Sequence, residues 1–189
     1  MKYVAVREAA DVLRRGGVAL VPTETVVGLV AADSGFSRLW EIKGRDAGKP
    51  IALLCESADQ AFSLARETPP LARALAAAYW PGPLTLVLDA PEGGTVGVRV
   101  PDGSAVRELL AVYGGPLYAT SANISGGPDV RNIEQVDPVV ASAVDVAVRG
   151  EPGTGEASAV VDLSSGQVRL LRPTEDLSEA RLRRFAELE

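Results

Sequence analysis

The chain contains no histidine among its 189 residues. That absence removes the Ser-His and Cys-His nucleophile systems and nearly all common zinc sites. There is a single cysteine, Cys55, so no intrachain disulfide can form, and a reducing cytoplasm is the natural setting. Aromatic residues are scarce, at 5%, which leaves few stacking platforms for unpaired bases. No apolar run reaches the length of a membrane span, and Met1-Lys2-Tyr3-Val4 lacks the apolar core of a signal peptide. Neither the G-x-x-x-x-G-K-[ST] phosphate loop nor a G-x-G-x-x-G turn between strand and helix is present. Basic residues are outnumbered, and the net charge of −6 argues against a broad footprint for nucleic acid while leaving room for a local basic cleft.

What is present is a large apolar fraction, 47%, enough for a sizeable core in one domain. Periodicity predicts an α/β succession. A helix over about 7–15 stops at Gly16-Gly17, and strands follow at 18–21 and 26–32 around the turn Pro22-Thr23-Glu24-Thr25. Phe36, Leu39, Trp40 and Lys43 share one face of a second helix. Further strands are expected at 51–55, 84–88, 95–100, 116–120 and 144–148. A helix is expected over 57–66, and another opens at Pro69-Pro70 with Leu71, Leu75, Ala78 and Tyr79 inward. Val106, Leu109, Leu110 and Tyr113 mark a helix closed by Gly114. A weaker helical pattern runs from Ile133 to Ala143. A hairpin crosses Ser165-Gly166, and a charged amphipathic helix covers about 178–188.

Several stretches carry polar chemistry. Lys43-Gly44-Arg45-Asp46-Ala47-Gly48-Lys49-Pro50 places three cations and two glycines between an amphipathic run and an apolar run, in an otherwise acidic chain. It suggests an anion pocket. The alternative is a helix C-terminus whose dipole Lys43 and Arg45 offset, with Lys49 a surface charge. On the apolar face of its helix, Lys43 either snorkels out or points into a cleft. In Thr95-Val96-Gly97-Val98-Arg99-Val100 the valines share one face, and Thr95, Gly97 and Arg99 share the other. The glycine leaves room for a ligand to approach the backbone. Thr120-Ser121-Ala122-Asn123 ends a strand, where small polar groups either meet a ligand or form a turn. Arg172, before Pro173, is either a phosphate ligand or plain surface.

Together these stretches resemble one family. Pro22-Thr23-Glu24-Thr25-Val26 with Gly28-Leu29, Lys43-Gly44-Arg45, Trp80-Pro81-Gly82-Pro83-Leu84-Thr85, Val98-Arg99-Val100-Pro101 and Thr120-Ser121-Ala122-Asn123-Ile124-Ser125-Gly126 occur in the order found in YrdC-like proteins, the threonylcarbamoyl-AMP synthases. The resemblance covers roughly residues 4–172. It implies a single YrdC-like domain over 1–189, of the family's short form: a twisted mixed sheet with helices on both faces and an open concave cleft. It also implies a reaction in which L-threonine, bicarbonate and ATP give threonylcarbamoyl-adenylate and pyrophosphate. Other tRNA-modification proteins then carry the threonylcarbamoyl group to the adenosine beside the anticodon.

The resemblance further implies roles. Lys43, Arg45, Ser121 and Asn123 match a tetrad around the nucleotide, with Lys43 and Arg45 catalytic. Lys49, Thr95 and Arg172 match further ATP contacts. Thr25, Arg99 and Ser158 match the L-threonine pocket, with Arg99 suited to grip a carboxylate by two nitrogens. Magnesium is expected on the phosphates, with no carboxylate cluster to announce a protein-held site. Positioning and electrostatic stabilisation would do the catalytic work, without a covalent intermediate. Four positions depart from the family pattern: Val27 for tyrosine, Asp46 for proline, Leu54 for histidine and Thr174 for glycine. Two alternatives stand beside the synthase: a paralogue that transfers carbamoyl or adenylyl groups to a different acceptor, and a module with weak RNA binding. Each expectation places the protein in the cytoplasm, away from membranes.

Overall fold

The computed structural model of the chain describes residues 1–44 and 51–187. A short strand, β1 (Lys2–Val4), leads into α1 (Val6–Arg14), which buries Ala9, Ala10 and Leu13 along one stripe. β2 (Val18–Pro22) and β3 (Val27–Ala31) are buried at every residue and pair antiparallel along their full lengths. They read as continuous apolar runs because both of their faces are covered. α2 (Phe36–Lys43) ends at Gly44, which takes the left-handed φ of 56° that closes helices. β4 (Ala52–Leu54) precedes α3 (Ala58–Ser63), whose first turn is capped by the Ser57 hydroxyl. α4 (Pro70–Tyr79) starts on a proline, where a missing N–H costs nothing. β5 (Leu84–Asp89), β6 (Thr95–Arg99), α5 (Ser104–Tyr113) and β7 (Leu117–Ser121) follow. The remaining elements are α6 (Pro138–Ala143), β8 (Val146–Val148), β9 (Ala159–Asp162), β10 (Arg169–Arg172) and α7 (Glu179–Ala186).

Among the described residues the strands form one mixed sheet in the order β1-β8-β2-β3-β7-β4-β6-β5-β9-β10. β1/β8, β2/β8, β4/β6 and β5/β9 pair parallel, and the other neighbours antiparallel. The edge strands β1 and β10 do not meet, so the sheet stays open.

The distribution of helices over the two faces creates the site. On one face α1 and α5 cover the β8-β2-β3 half, packing on Ala19, Val21, Val30 and Val146. On the other face α2 and α6 cover that half, against Val18, Leu20, Leu29 and Ala147. That second face continues under α3, α4 and α7, which bury Leu84, Leu86, Val98 and Val161. Among the described residues no helix covers the first face over β4, β6, β5 and β9. Its residues, among them Ala52, Val87, Gly97 and Val160, line an open cavity instead.

Three local expectations change. β1 has no counterpart in the sequence reading. The helix expected over Ile133–Ala143 is two pieces: a 3₁₀ turn at Ile133–Gln135, then α6, which Asp137 caps and Pro138 opens. Proline has no N–H to give to a helix interior, so the chain must restart there. In α4 the buried stripe is Leu71, Ala72, Leu75 and Ala76, while Ala78 is exposed, because this stripe passes before residue 78.

Candidate functional site

The cavity has a volume of about 610 Å³. Its floor is a row of small residues in register, Ala52 beside Gly97 beside Val87. Small side chains at neighbouring positions leave depth above the sheet. Polar groups stand at the ends of the strands: Thr23, Thr85, Arg99, Ser121, Ser158 and Arg172.

Arg99 ends β6 and is only 7% exposed. A guanidinium so buried needs a counter-charge and hydrogen-bond acceptors. Nη2 donates to Glu24 Oε1 at 2.5 Å and to Thr25 Oγ1 at 2.9 Å, and Nε donates to the Gly82 carbonyl at 3.2 Å. Nη1 has no partner among the described residues. Arg99 is one of the cavity-lining residues, with two of its three guanidinium nitrogens engaged by the protein. Burial pulls the Glu24 carboxyl upward, but the Arg99 charge and hydrogen bond outweigh it, and its pKa lies below the ordinary 4.5. Thr25 is buried, and its hydroxyl also meets Thr23 Oγ1 at 2.9 Å.

Lys43 is turned inward and is 2% exposed. Its ammonium donates to the carbonyls of Ser121, at 2.8 Å, and Asn123, at 2.5 Å, and to Asn123 Oδ1 at 2.8 Å. The Ser121 hydroxyl also donates to Asn123 Oδ1, at 2.6 Å, and Asn123 Nδ2 donates to the Gly127 carbonyl at 2.6 Å. Lys43, Ser121 and Asn123 thus form one cluster that shapes the loop after β7. Only Ser121 lines the cavity. Lys43 reads neither as a solvated cation nor as a simple dipole cap.

On the opposite wall Arg172 Nε donates to the Ser158 carbonyl at 2.5 Å, and Nη2 to Ser158 Oγ at 3.2 Å. Ser158 Oγ shares a hydrogen bond with Thr85 Oγ1 at 2.9 Å. Thr95 stands exposed at the start of β6, on the strand face of Gly97 and Arg99 but outside the cavity lining. Arg45 and Lys49 lie outside the described residues.

Three side chains at this site stand in the family motifs but were given no role from the sequence: Thr23, Glu24 and Thr85. The signal for Glu24 was Arg99 itself, since an arginine on a half-apolar strand requires an acid nearby. For Thr85 the signal was its place at the end of the Trp80–Thr85 motif, since one threonine in an apolar strand reads by itself as ordinary strand composition.

The family described as telomere recombination, with Sua5, YciO and YrdC as its named members, matches residues 11–174. The chain belongs to the Sua5/YciO/YrdC family. The threonylcarbamoyl-AMP synthase of Pyrococcus abyssi is 38% identical over 181 residues, which are 89% of this chain and 53% of that one. That of Chromohalobacter salexigens is 33% identical over 176 residues, 86% of this chain and 94% of that one. A crystal structure of P. abyssi Sua5 complexed with L-threonine superposes with a TM-score of 0.83 at 35% identity, over 89% of this chain and 53% of that one. The chain spans about half the length of the Pyrococcus relative.

The departures from the family pattern fall in different places. Val27 is fully buried in the cluster under α2 and α6, away from the cleft. Leu54 lines the cleft and pairs with Arg99 across β4 and β6. Thr174 makes a turn, its hydroxyl accepting from the Leu177 N–H at 3.2 Å. Asp46 lies outside the described residues.

Proposed function

We propose that the chain is a threonylcarbamoyl-AMP synthase, making L-threonylcarbamoyl-adenylate and pyrophosphate from L-threonine, bicarbonate and ATP. The observation that carries the reading is Arg99: a buried guanidinium, fixed by Glu24 and Thr25, that lines a cleft of about 610 Å³. Such a group recognises the carboxylate of a small acid. The crystal structure of P. abyssi Sua5 complexed with L-threonine supports an amino acid as that acid.

The chemistry follows in two condensations. The threonine amine and bicarbonate combine with loss of water to give N-carboxy-threonine. An oxygen of the new carboxylate attacks the α-phosphorus of ATP, the bond to the bridging oxygen breaks, and pyrophosphate leaves with the electron pair. Two anions must meet, and charge must spread over the transferring and leaving phosphates. In this reading Thr25, Arg99 and Ser158 hold the amino acid. Lys43, Arg45, Lys49, Thr95, Ser121, Asn123 and Arg172 surround the nucleotide, with Lys43 and Arg45 nearest the chemistry. Lys43 would act on the nucleotide largely by shaping the Ser121–Asn123 loop, since its ammonium faces that loop. Magnesium would travel on the ATP phosphates. Among the described residues no group of three or more His, Cys, Asp or Glu side chains is placed to hold it.

The product would pass to proteins that transfer the threonylcarbamoyl group to tRNA, in the cytoplasm. No helix among the described residues is long and apolar enough to cross a membrane. The test is pyrophosphate release from ATP with bicarbonate, with and without L-threonine. Release that ignores threonine would sink the reading.

A further inference from the structure

The turn between β2 and β3 is pinned from three directions, and Glu24 is the residue they share. Its Oε1 accepts from Arg99 Nη2 at 2.5 Å, and its Oε2 accepts from the Gly103 N–H at 3.0 Å. Its backbone carbonyl accepts from the Thr154 N–H at 2.9 Å. One residue thereby joins the end of β6, the start of α5 and the loop before β9.

The neighbouring segments come close enough to require glycine. A Cβ at Gly103 would lie 2.9 Å from Glu24 N, and one at Gly153 would lie 2.3 Å from the Thr25 carbonyl oxygen. The fold thus presses two loops onto this turn.

Glu24 does not line the cleft. It lines a second cavity, of about 410 Å³, together with Gly103, Arg131 and Thr154. Anything bound in the cleft therefore feels Glu24 through Arg99. With Nε and Nη2 engaged, the guanidinium plane is fixed and Nη1 is left over.

We infer that Glu24 is a positioning residue for the amino-acid end of the cleft: it holds the Arg99 guanidinium so that Nη1 meets the carboxylate of the incoming amino acid. The inference rests on the reading of the cleft as an amino-acid and nucleotide site. The competing role is a stand-in anion that the ligand carboxylate displaces. The hold of Gly103 on the second oxygen, and the position of Glu24 outside the cleft lining, favour positioning. A displaceable carboxylate would reach into the cavity and keep its second oxygen free.

The two roles give opposite results in calorimetric titration of the full chain with L-threonine, with the other L-amino acids and with ATP. Glu24→Ala weakens amino-acid binding about tenfold or more, the scale of one lost charged hydrogen bond. ATP binding stays unchanged. Glu24→Gln recovers part of the loss, because its amide oxygen still accepts from Arg99 while its NH2 group cannot accept from the Gly103 N–H. Where Glu24→Ala does not fold, Glu24→Asp, one methylene shorter, shows the same selective loss. Unchanged or tighter amino-acid binding in Glu24→Ala or Glu24→Asp overturns the inference, as does an equal loss for ATP. If the wild-type chain binds a different amino acid and not threonine, the threonine reading fails while Glu24 is judged on that amino acid. If it binds none, the positioning role falls as well.

Discussion

Lys43 reaches across from the last turn of α2 to Asn123, 80 residues later, and donates to both its backbone carbonyl and its side-chain oxygen. The same ammonium holds the Ser121 carbonyl at 2.8 Å. A buried cation surrounded by carbonyl oxygens loses less by burial than an unpaired one. It also fixes the loop through which Ser121 enters the cleft wall.

Replacing Lys43 with Met keeps the stem and removes these donors. Three oxygens then lose a charged partner, and stability should fall by about 2–4 kcal/mol, given roughly 1.5–3 kcal/mol for a hydrogen bond to a charged group and incomplete additivity. Thermal melting should show a midpoint lower by about 5–15 °C for a chain of this size. Lys43→Arg should not restore it, because the planar guanidinium is larger than the space left by an ammonium.

Gly153→Ala tests the pressed turn. Its Cβ would fall 2.3 Å from the Thr25 carbonyl oxygen, a backbone atom that no side-chain rotation can move aside. The loop has to move, at a cost of about 1–3 kcal/mol. Thermal melting should report the loss, and amino-acid affinity should fall with it because Thr25 and Glu24 shift together.

The pH dependence of stability follows from depressed carboxyls. Glu24 lies below its ordinary 4.5, so the folded chain holds its proton less tightly than the unfolded chain does. Its stabilisation is therefore complete above that value and is lost as pH falls through the lower folded value. Asp145 and Asp162 are lowered as well. In both, burial opposes the shift and is outweighed by hydrogen bonds, from Arg38 and Val18 at Asp145 and from Ser164 and Arg169 at Asp162. Urea unfolding at a series of acidic pH values should show stability rising with pH. Glu24→Gln should make that slope shallower.

Cys55 is fully buried, and burial pushes its thiol up to about 12. The thiolate is the reactive form, so alkylation at neutral pH should be negligible in the native protein and rapid in denaturant. Fast labelling of the native chain would show that the α3–β4 region opens readily.

Much of this architecture was legible in the sequence, for identifiable reasons. The buried run 18–21 announces a strand because both faces of the sheet are covered there, and 84–88 does so with one face packed under the helices and the other, through Thr85 and Val87, lining the cleft. The alternation of Val96, Gly97, Val98 and Arg99 separates core from cleft, and the structure places Gly97 and Arg99 on the cavity side. β1 was not legible. Three residues are too few for periodicity, and its partner Val146–Val148 lies more than 140 positions away. The same holds for strand order, which depends on long-range pairing such as β5 with β9. Ala78 and the broken helix at Pro138 were misread because helical spacing alone fixes neither which stripe faces the core nor where a proline restarts the chain. Glu24 shows the limit at the site. Arg99 demands an acid, but the chain has 25 Asp and Glu residues, and only the fold selects one.

The most direct measurement is the product itself. The purified chain is incubated with ATP, L-threonine and isotope-labelled bicarbonate, and the adenylates are separated and weighed by mass spectrometry. The synthase reading predicts an adenylate with the mass of threonylcarbamoyl-AMP that carries the bicarbonate label in its carbamoyl carbon, in parallel with pyrophosphate. An adenylate without the label, or none that requires threonine, would contradict it.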